Sequence, residues 1–118
     1  MSKPLGPYTP VVRAGDLVFV SGQGGLLDGV KVDGGVAAET TRALANLREL
    51  LESVGASMDD VVKTTCFLTD MEQYAKFNRE YSAAFGDHRP ARSCVAVAAL
   101  PAGFLVEIEA IAHLPADG

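Results

Sequence analysis

The sequence predicts an α+β domain in which two helices pack on one face of a mixed β-sheet. Two segments repeat apolar or core-compatible residues at helical spacing: Thr40, Leu44, Leu47, Leu51 and Val54, then Tyr74, Phe77, Tyr81 and Phe85. Short runs rich in β-branched residues stand before, between and after them. The order reads β-β(-β)-α-β-α-β-β, and helices with a single apolar stripe cover one face of a sheet, not two. At 118 residues, the chain from 1 to 118 makes one domain, with a core but not two.

The elements follow in order. Gly6-Pro7-Tyr8-Thr9-Pro10 is a rigid lead-in, and Val11–Arg13 and Leu17–Ser21 read as short strands around a turn at Ala14-Gly15-Asp16. Gly22-Gln23-Gly24-Gly25 breaks that pattern, and Asp28-Gly29 and Asp33-Gly34-Gly35 mark further turns. A first helix spans about Val36 to Val54, with Gly55 as its stop. Val61 to Thr69 is strand-like. Asp70 reads as an N-cap with Gln73 at N3, a capping-box variant opening a helix that Gly86 ends. Ala91–Ala98 and Leu105–Ala112 form the last two strands, joined by a loop with Pro101 and Gly103.

Composition excludes several classes. A net charge of −5 and a single small basic run, His88-Arg89 with Arg92 nearby, recommend no nucleic-acid partner. Cys66 and Cys94 sit in apolar strands without metal-ligand spacing and read as reduced thiols of a cytoplasmic protein. The segment from Met1 to Gly6 has no apolar signal core, and no run approaches the ~18 residues that span a membrane. Hydrophobic content of 48% leaves apolar surface for an oligomer interface.

Chemistry concentrates near the C-terminus. Pro90-Ala91-Arg92-Ser93-Cys94-Val95 puts an arginine at the head of one apolar strand, and Val106 to Ala112 places Glu107 and Glu109 inside the next. An unpaired charge on a half-buried sheet is costly. A guanidinium fork suits a carboxylate, and a carboxylate in a dry cleft activates water. Together they suggest a site for a small carboxylic acid. Pairing the last two strands through the 99–104 loop sets Ala96 opposite Glu107 and Arg92 opposite Ile111, four residues of ~3.3 Å from Glu107. A cleft shared by two subunits closes that distance; a structural Arg92–Glu109 pair is the alternative. On the last strand Leu105, Glu107, Glu109 and Ile111 share one face, which, with Arg92, Cys94 and Ala96, is expected to lie away from the helices at a subunit contact.

Other candidates have plainer readings. Strand cysteines such as Cys94 serve mostly as small hydrophobes. Asn78 lies beside the aromatic stripe, where a lone amide is usually a surface or capping group. Tyr8 reads as a packing lid, and His88 and His113 as solvated. The Gly22–Gly25 run lacks the Lys-Ser/Thr ending of a P-loop.

Taken together, Gly6-Pro7-Tyr8, Ser21-Gly22-Gln23, Val62-Lys63-Thr64-Thr65, Phe77-Asn78 with Tyr81 and Phe85, Pro90–Val95 and Glu107–Ala112 resemble the RidA (YjgF) family of enamine/imine deaminases over nearly the whole chain. The resemblance implies a chorismate-mutase-like fold, a homotrimer with sites in the clefts between subunits, and no bound cofactor or metal. It implies hydrolysis of 2-aminoacrylate/2-iminopropanoate and 2-iminobutanoate to 2-oxo acids and ammonia. Carried over, Arg92 grips the substrate carboxylate and Glu107 activates the attacking water. The Cys94 backbone, Ser21, Gly22 and Asn78 line the pocket, and Tyr8 stands at its mouth. One departure is Gly24-Gly25-Leu26-Leu27 where many members carry Ile-Pro and a longer hairpin, which implies a more mobile loop. Two competing functions stay open: an endoribonuclease or translation inhibitor, and a non-catalytic small-ligand or chaperone-like module.

Overall fold

Two strand segments joined by a helix form a crossover, which sets the two strands parallel in one sheet, often as neighbours. In the computed structural model, which describes residues 3–115, β5 (Val61–Leu68), α2 (Tyr74–Phe85) and β6 (Ala91–Ala96) form such a unit. Met1 and Ser2, part of the segment read as lacking a signal core, lie outside the described residues, as do residues 116–118. The other edge of β5 pairs antiparallel with β7 (Val106–His113). On the far side β7 pairs antiparallel with β2 (Leu17–Gln23), and β2 with β1 (Val11–Ala14). The sheet order is β1-β2-β7-β5-β6, with α1 (Gly35–Ser53) and α2 on one face.

The expected β6–β7 hairpin is therefore absent. The loop of residues 97–105 carries the chain past the end of β5, anchored by Val97 N–H to the Leu68 carbonyl (2.9 Å) and Thr69 N–H to the Leu105 carbonyl (3.2 Å). With β6 already beside β5 through the helical crossover, β7 fills the free edge of β5.

The core lies between helices and sheet. Val18, Val20, Leu68, Val106, Ile108 and Ala112 meet Leu44, Leu47 and Leu51 of α1 and Phe77, Tyr81 and Phe85 of α2. Gly86, with φ 63°, ends α2, and Gly55, with φ 86°, follows Val54 at the end of α1. The Asp28-Gly29 turn joins β3 (Leu26–Leu27) to β4 (Val30–Lys31), with φ of 52° and 81°, the double-positive pattern of a hairpin turn.

Two local readings need correction. Asp70 accepts from the Glu72 N–H (3.0 Å) and caps a 3₁₀ turn, Met71–Gln73, that leads into α2; Gln73 makes no reciprocal bond. His88 is partly buried, its Nε2 2.7 Å from the Val61 carbonyl, so it ties the end of α2 to the head of β5.

Candidate active site

The site begins at an irregularity in β2. Val20 pairs with Ala110 and Gln23 with Ile108, so three steps along β2 match two along β7, a bulge at Ser21-Gly22. The bulge brings the Gly22 backbone against Glu107: a Cβ on Gly22 would stand 2.7 Å from the carboxyl carbon and Oε2. Only glycine admits that approach. Ser21 Oγ donates to the Thr9 carbonyl (2.8 Å) and its N–H to that of Pro10 (2.8 Å), so this serine holds the lead-in segment in place. Tyr8, partly exposed on that segment, accepts a bond from Leu5 N–H through its hydroxyl (3.1 Å).

These pieces enclose a cleft of about 430 Å³ whose wall includes Tyr8, Ser21, Gly22, Leu26, Phe104 and Glu107. Glu107 is half-buried in it, without a hydrogen-bonding partner among the described residues. Burial, and secondarily the Glu109 carboxylate, raises the Glu107 pKa above its ordinary value. A carboxylate so placed is a stronger base toward water than a solvated one.

The sequence reading missed what braces the cleft. Asn46 is buried on α1, and its Nδ2 donates to the carbonyls of Gly24 (3.2 Å) and Leu26 (2.8 Å). Glu39, 1% exposed, accepts from Leu105 N–H (2.7 Å) and lies 3.7 Å from Lys31 Nζ. Val32 N–H closes back onto the Gly25 carbonyl (2.8 Å). The glycine-rich loop expected to be mobile is tied down at both ends. Its glycines serve close packing, Gly24 against the Phe104 ring and Gly25 against Glu39. A signal existed: Glu39, Ala43, Asn46 and Leu50 share one helical face, next to the leucine stripe.

A second cluster lies on the other side of the sheet. Arg92, Cys94 and Ala96 register with Thr64, Cys66 and Leu68, whose side chains are buried under the helices, so the expectation that they face away from the helices is wrong. Alternation counted across a β6–β7 hairpin gives the opposite face, because β5 stands between the two strands. The Arg92 guanidinium carbon is 5.5, 5.6 and 4.8 Å from the ring centres of Tyr74, Phe77 and Tyr81, and Nη2 donates to the Tyr74 hydroxyl (2.8 Å). No Arg92–Glu109 pair forms. Burial pushes the Cys94 thiol up, against the opposing pull of Arg92. Asn78 Oδ1, on the same face of α2 as Tyr74, is buried without a partner among the described residues.

Thus the candidate residues fall into two separate clusters of one chain, Tyr8, Ser21, Gly22 and Glu107 in one and Arg92, Cys94 and Asn78 in the other. Thr64 pairs with Arg92 and Phe67 with Glu107, so these two candidate residues stand three positions apart along the sheet and two strands apart across it. At ~3.3 Å per residue and ~4.8 Å per strand this is about 14 Å between Cα atoms, with side chains on opposite faces. Glu107, Glu109, Phe67, Val95, Ile111 and Phe19 share the face without helices, where Phe19 and Val95 are 40% and 45% exposed.

Comparison with known proteins agrees with this architecture. A model of the endoribonuclease L-PSP family matches residues 1–114. Mouse 2-iminobutanoate/2-iminopropanoate deaminase is 44% identical over 110 residues, covering 92% of this chain and 82% of its own. The crystal structure of the Escherichia coli YjgF gene product superposes with a TM-score of 0.88 at 39% identity, over 93% of this chain and 90% of that one. E. coli TdcF with bound serine superposes with a TM-score of 0.88 at 36% identity, over the same shares. Matched over almost its full length in sequence and in fold, the chain belongs to the endoribonuclease L-PSP family, that of the RidA (YjgF) proteins.

Proposed function

We propose that the protein hydrolyses 2-enamine/2-imine acids to 2-oxo acids and ammonia, with 2-iminopropanoate (the tautomer of 2-aminoacrylate) and 2-iminobutanoate as substrates. The observation that carries this reading is Glu107: a half-buried carboxyl of raised pKa, without a hydrogen-bonding partner among the described residues, in a cleft that a glycine bulge opens beside it. The deaminase name of the mouse relative and the serine bound to TdcF support a small amino-acid-derived ligand.

Arg92 grips the substrate carboxylate, which orients the C=N carbon. Glu107 takes a proton from water as the water oxygen bonds to that carbon. Glu107 passes that proton to the imine nitrogen to give the tetrahedral carbinolamine. It then takes the carbinolamine hydroxyl proton and delivers it to nitrogen as the C–N bond breaks, so ammonia leaves with both water protons and the 2-oxo acid remains. Water, imine, oxo acid and ammonia balance with no other reactant. Because Arg92 and Glu107 lie on opposite faces of one sheet, a working site joins Arg92, Cys94 and Asn78 of one subunit to Tyr8, Ser21, Gly22 and Glu107 of the next, in a homotrimer in the cytoplasm. The apolar residues around Glu107 are the surface such a contact covers.

The test is a coupled assay. A serine dehydratase generates 2-aminoacrylate, and pyruvate appearance is followed with and without the protein, EDTA present throughout. Acceleration above the spontaneous rate supports the reading. An unchanged rate, with salt-sensitive RNA cleavage abolished by Arg92→Ala, replaces it with the ribonuclease reading.

A further inference from the structure

Three aromatic rings hold the Arg92 guanidinium, and they are not equivalent. Tyr74, Phe77, Asn78 and Tyr81 fall at i, i+3, i+4 and i+7 on α2, one face of the helix. Phe77 offers no polar atom. The Tyr81 hydroxyl is buried and already engaged, 2.7 Å from Thr64 Oγ1. Tyr74 alone of the three presents a hydroxyl to the cation, accepting from Nη2 at 2.8 Å, and it stands 39% exposed at the rim of the cluster.

Attraction of a cation to ring faces holds the guanidinium near the rings but leaves it free to rotate within its own plane. A single directional hydrogen bond removes that freedom. Bidentate carboxylate binding needs two N–H groups at a fixed angle, so rotation of the guanidinium costs affinity. We propose that Tyr74 is a positioning residue for carboxylate recognition: its hydroxyl takes one N–H of Arg92 and sets the orientation in which the remaining donors meet the substrate. The proposal rests on the reading of Arg92 as the carboxylate grip and goes beyond it by assigning a residue that does not touch the substrate. It makes binding sensitive to one phenol oxygen while the proton chemistry at Glu107 is untouched.

The test is Tyr74→Phe in the assembled full-length protein, which keeps the ring and removes only the oxygen. Three quantities are read: the order parameter of the Arg92 Nε–H from ¹⁵N relaxation, the affinity for 2-oxobutanoate by calorimetry, and KM against kcat in the coupled assay. The expected result is a lower Arg92 order parameter, a two- to tenfold weaker affinity as for about one net hydrogen bond, a matching rise in KM and an unchanged kcat. The thermal midpoint should stay within a degree or two of wild type, because an exposed hydroxyl contributes little to the fold.

An unchanged order parameter overturns the proposal, as does wild-type affinity in Tyr74→Phe when Arg92→Lys has lost binding. So does a fall in kcat and thermal midpoint together, the mark of a packing role. If wild type itself fails to bind any 2-oxo acid, the deaminase reading fails; the order parameter still decides whether Tyr74 positions Arg92.

Discussion

Glu107 poses opposed demands on stability and chemistry. Its pKa is raised by burial first and by Glu109 second, so the folded protein holds its ionised form at a cost. Three outcomes are expected. Turnover should rise with pH through an apparent pKa above the ordinary carboxylate range, since the base is the ionised form. Glu107→Gln should lower kcat by ~10²–10⁴ while an inert 2-oxo acid still binds. The same variant should be more stable than wild type at neutral pH. Because the folded pKa is above the unfolded one, that advantage vanishes as pH falls below the unfolded value, where both states are protonated. Denaturant melts at several pH values check the sign; a variant destabilised at neutral pH would contradict it.

The companion substitutions separate binding from chemistry. Arg92→Lys keeps the charge but loses the planar fork, and carboxylate affinity should fall at least about tenfold, as for one charge-assisted hydrogen bond. Cys94→Ser should retain most activity, since its thiol is pushed up by burial and packs toward the core. If Cys94→Ser is dead and Glu107→Gln active, the chemistry is covalent.

The decisive local element is the bulged end of β2 and the glycine-rich loop after it. Gly22 gives way to Glu107, Gly24 to Phe104 and Gly25 to Glu39, and Asn46 fastens the loop by two carbonyls. Asn46→Ala leaves both carbonyls without that donor, so stability should fall by about 1–3 kcal/mol. The loop forms one wall of the cleft, and KM should rise with it. Hydrogen exchange at Leu26 and Val32 reads the loosening directly; unchanged protection there would remove the loop from the account. Gly22→Ala puts a methyl into the carboxyl of Glu107, and activity should drop more than the thermal midpoint does.

Assembly is the question at the scale of the whole molecule. A sheet with helices on one face only leaves the other carrying Phe19, Phe67, Val95 and Ile111 beside two carboxylates, a mixture suited to a subunit contact. If each site takes Arg92 from one chain and Glu107 from its neighbour, inactive Arg92→Ala and Glu107→Gln proteins should complement. Co-refolded at equal ratio they should regain about a quarter of wild-type activity, the random fraction of contacts that pair two intact residues. Mixtures that stay inactive, or an active monomer by light scattering, would place the whole site on one chain.

Periodicity and residue chemistry made much of this legible beforehand. The helical stripes ending at Gly55 and Gly86, the strand runs, the Asp28-Gly29 turn and the motif residues Arg92 and Glu107 are local patterns, and local patterns survive in one dimension. Fold class, family and the residues on which chemistry is staked are therefore readable from the chain alone. Strand neighbours are another matter. Nothing within Ala91–Ala96 or Val106–His113 says that β5 stands between them; that follows from the helical crossover of β6 and from a loop long enough to pass the end of β5. The tertiary structure alone decided that Arg92 faces the helices and Glu107 does not, because a side chain's face depends on register with its partner strand. The buried roles of Glu39 and Asn46 were hidden for the same reason: their partners are backbone groups distant in sequence, which no spacing rule connects.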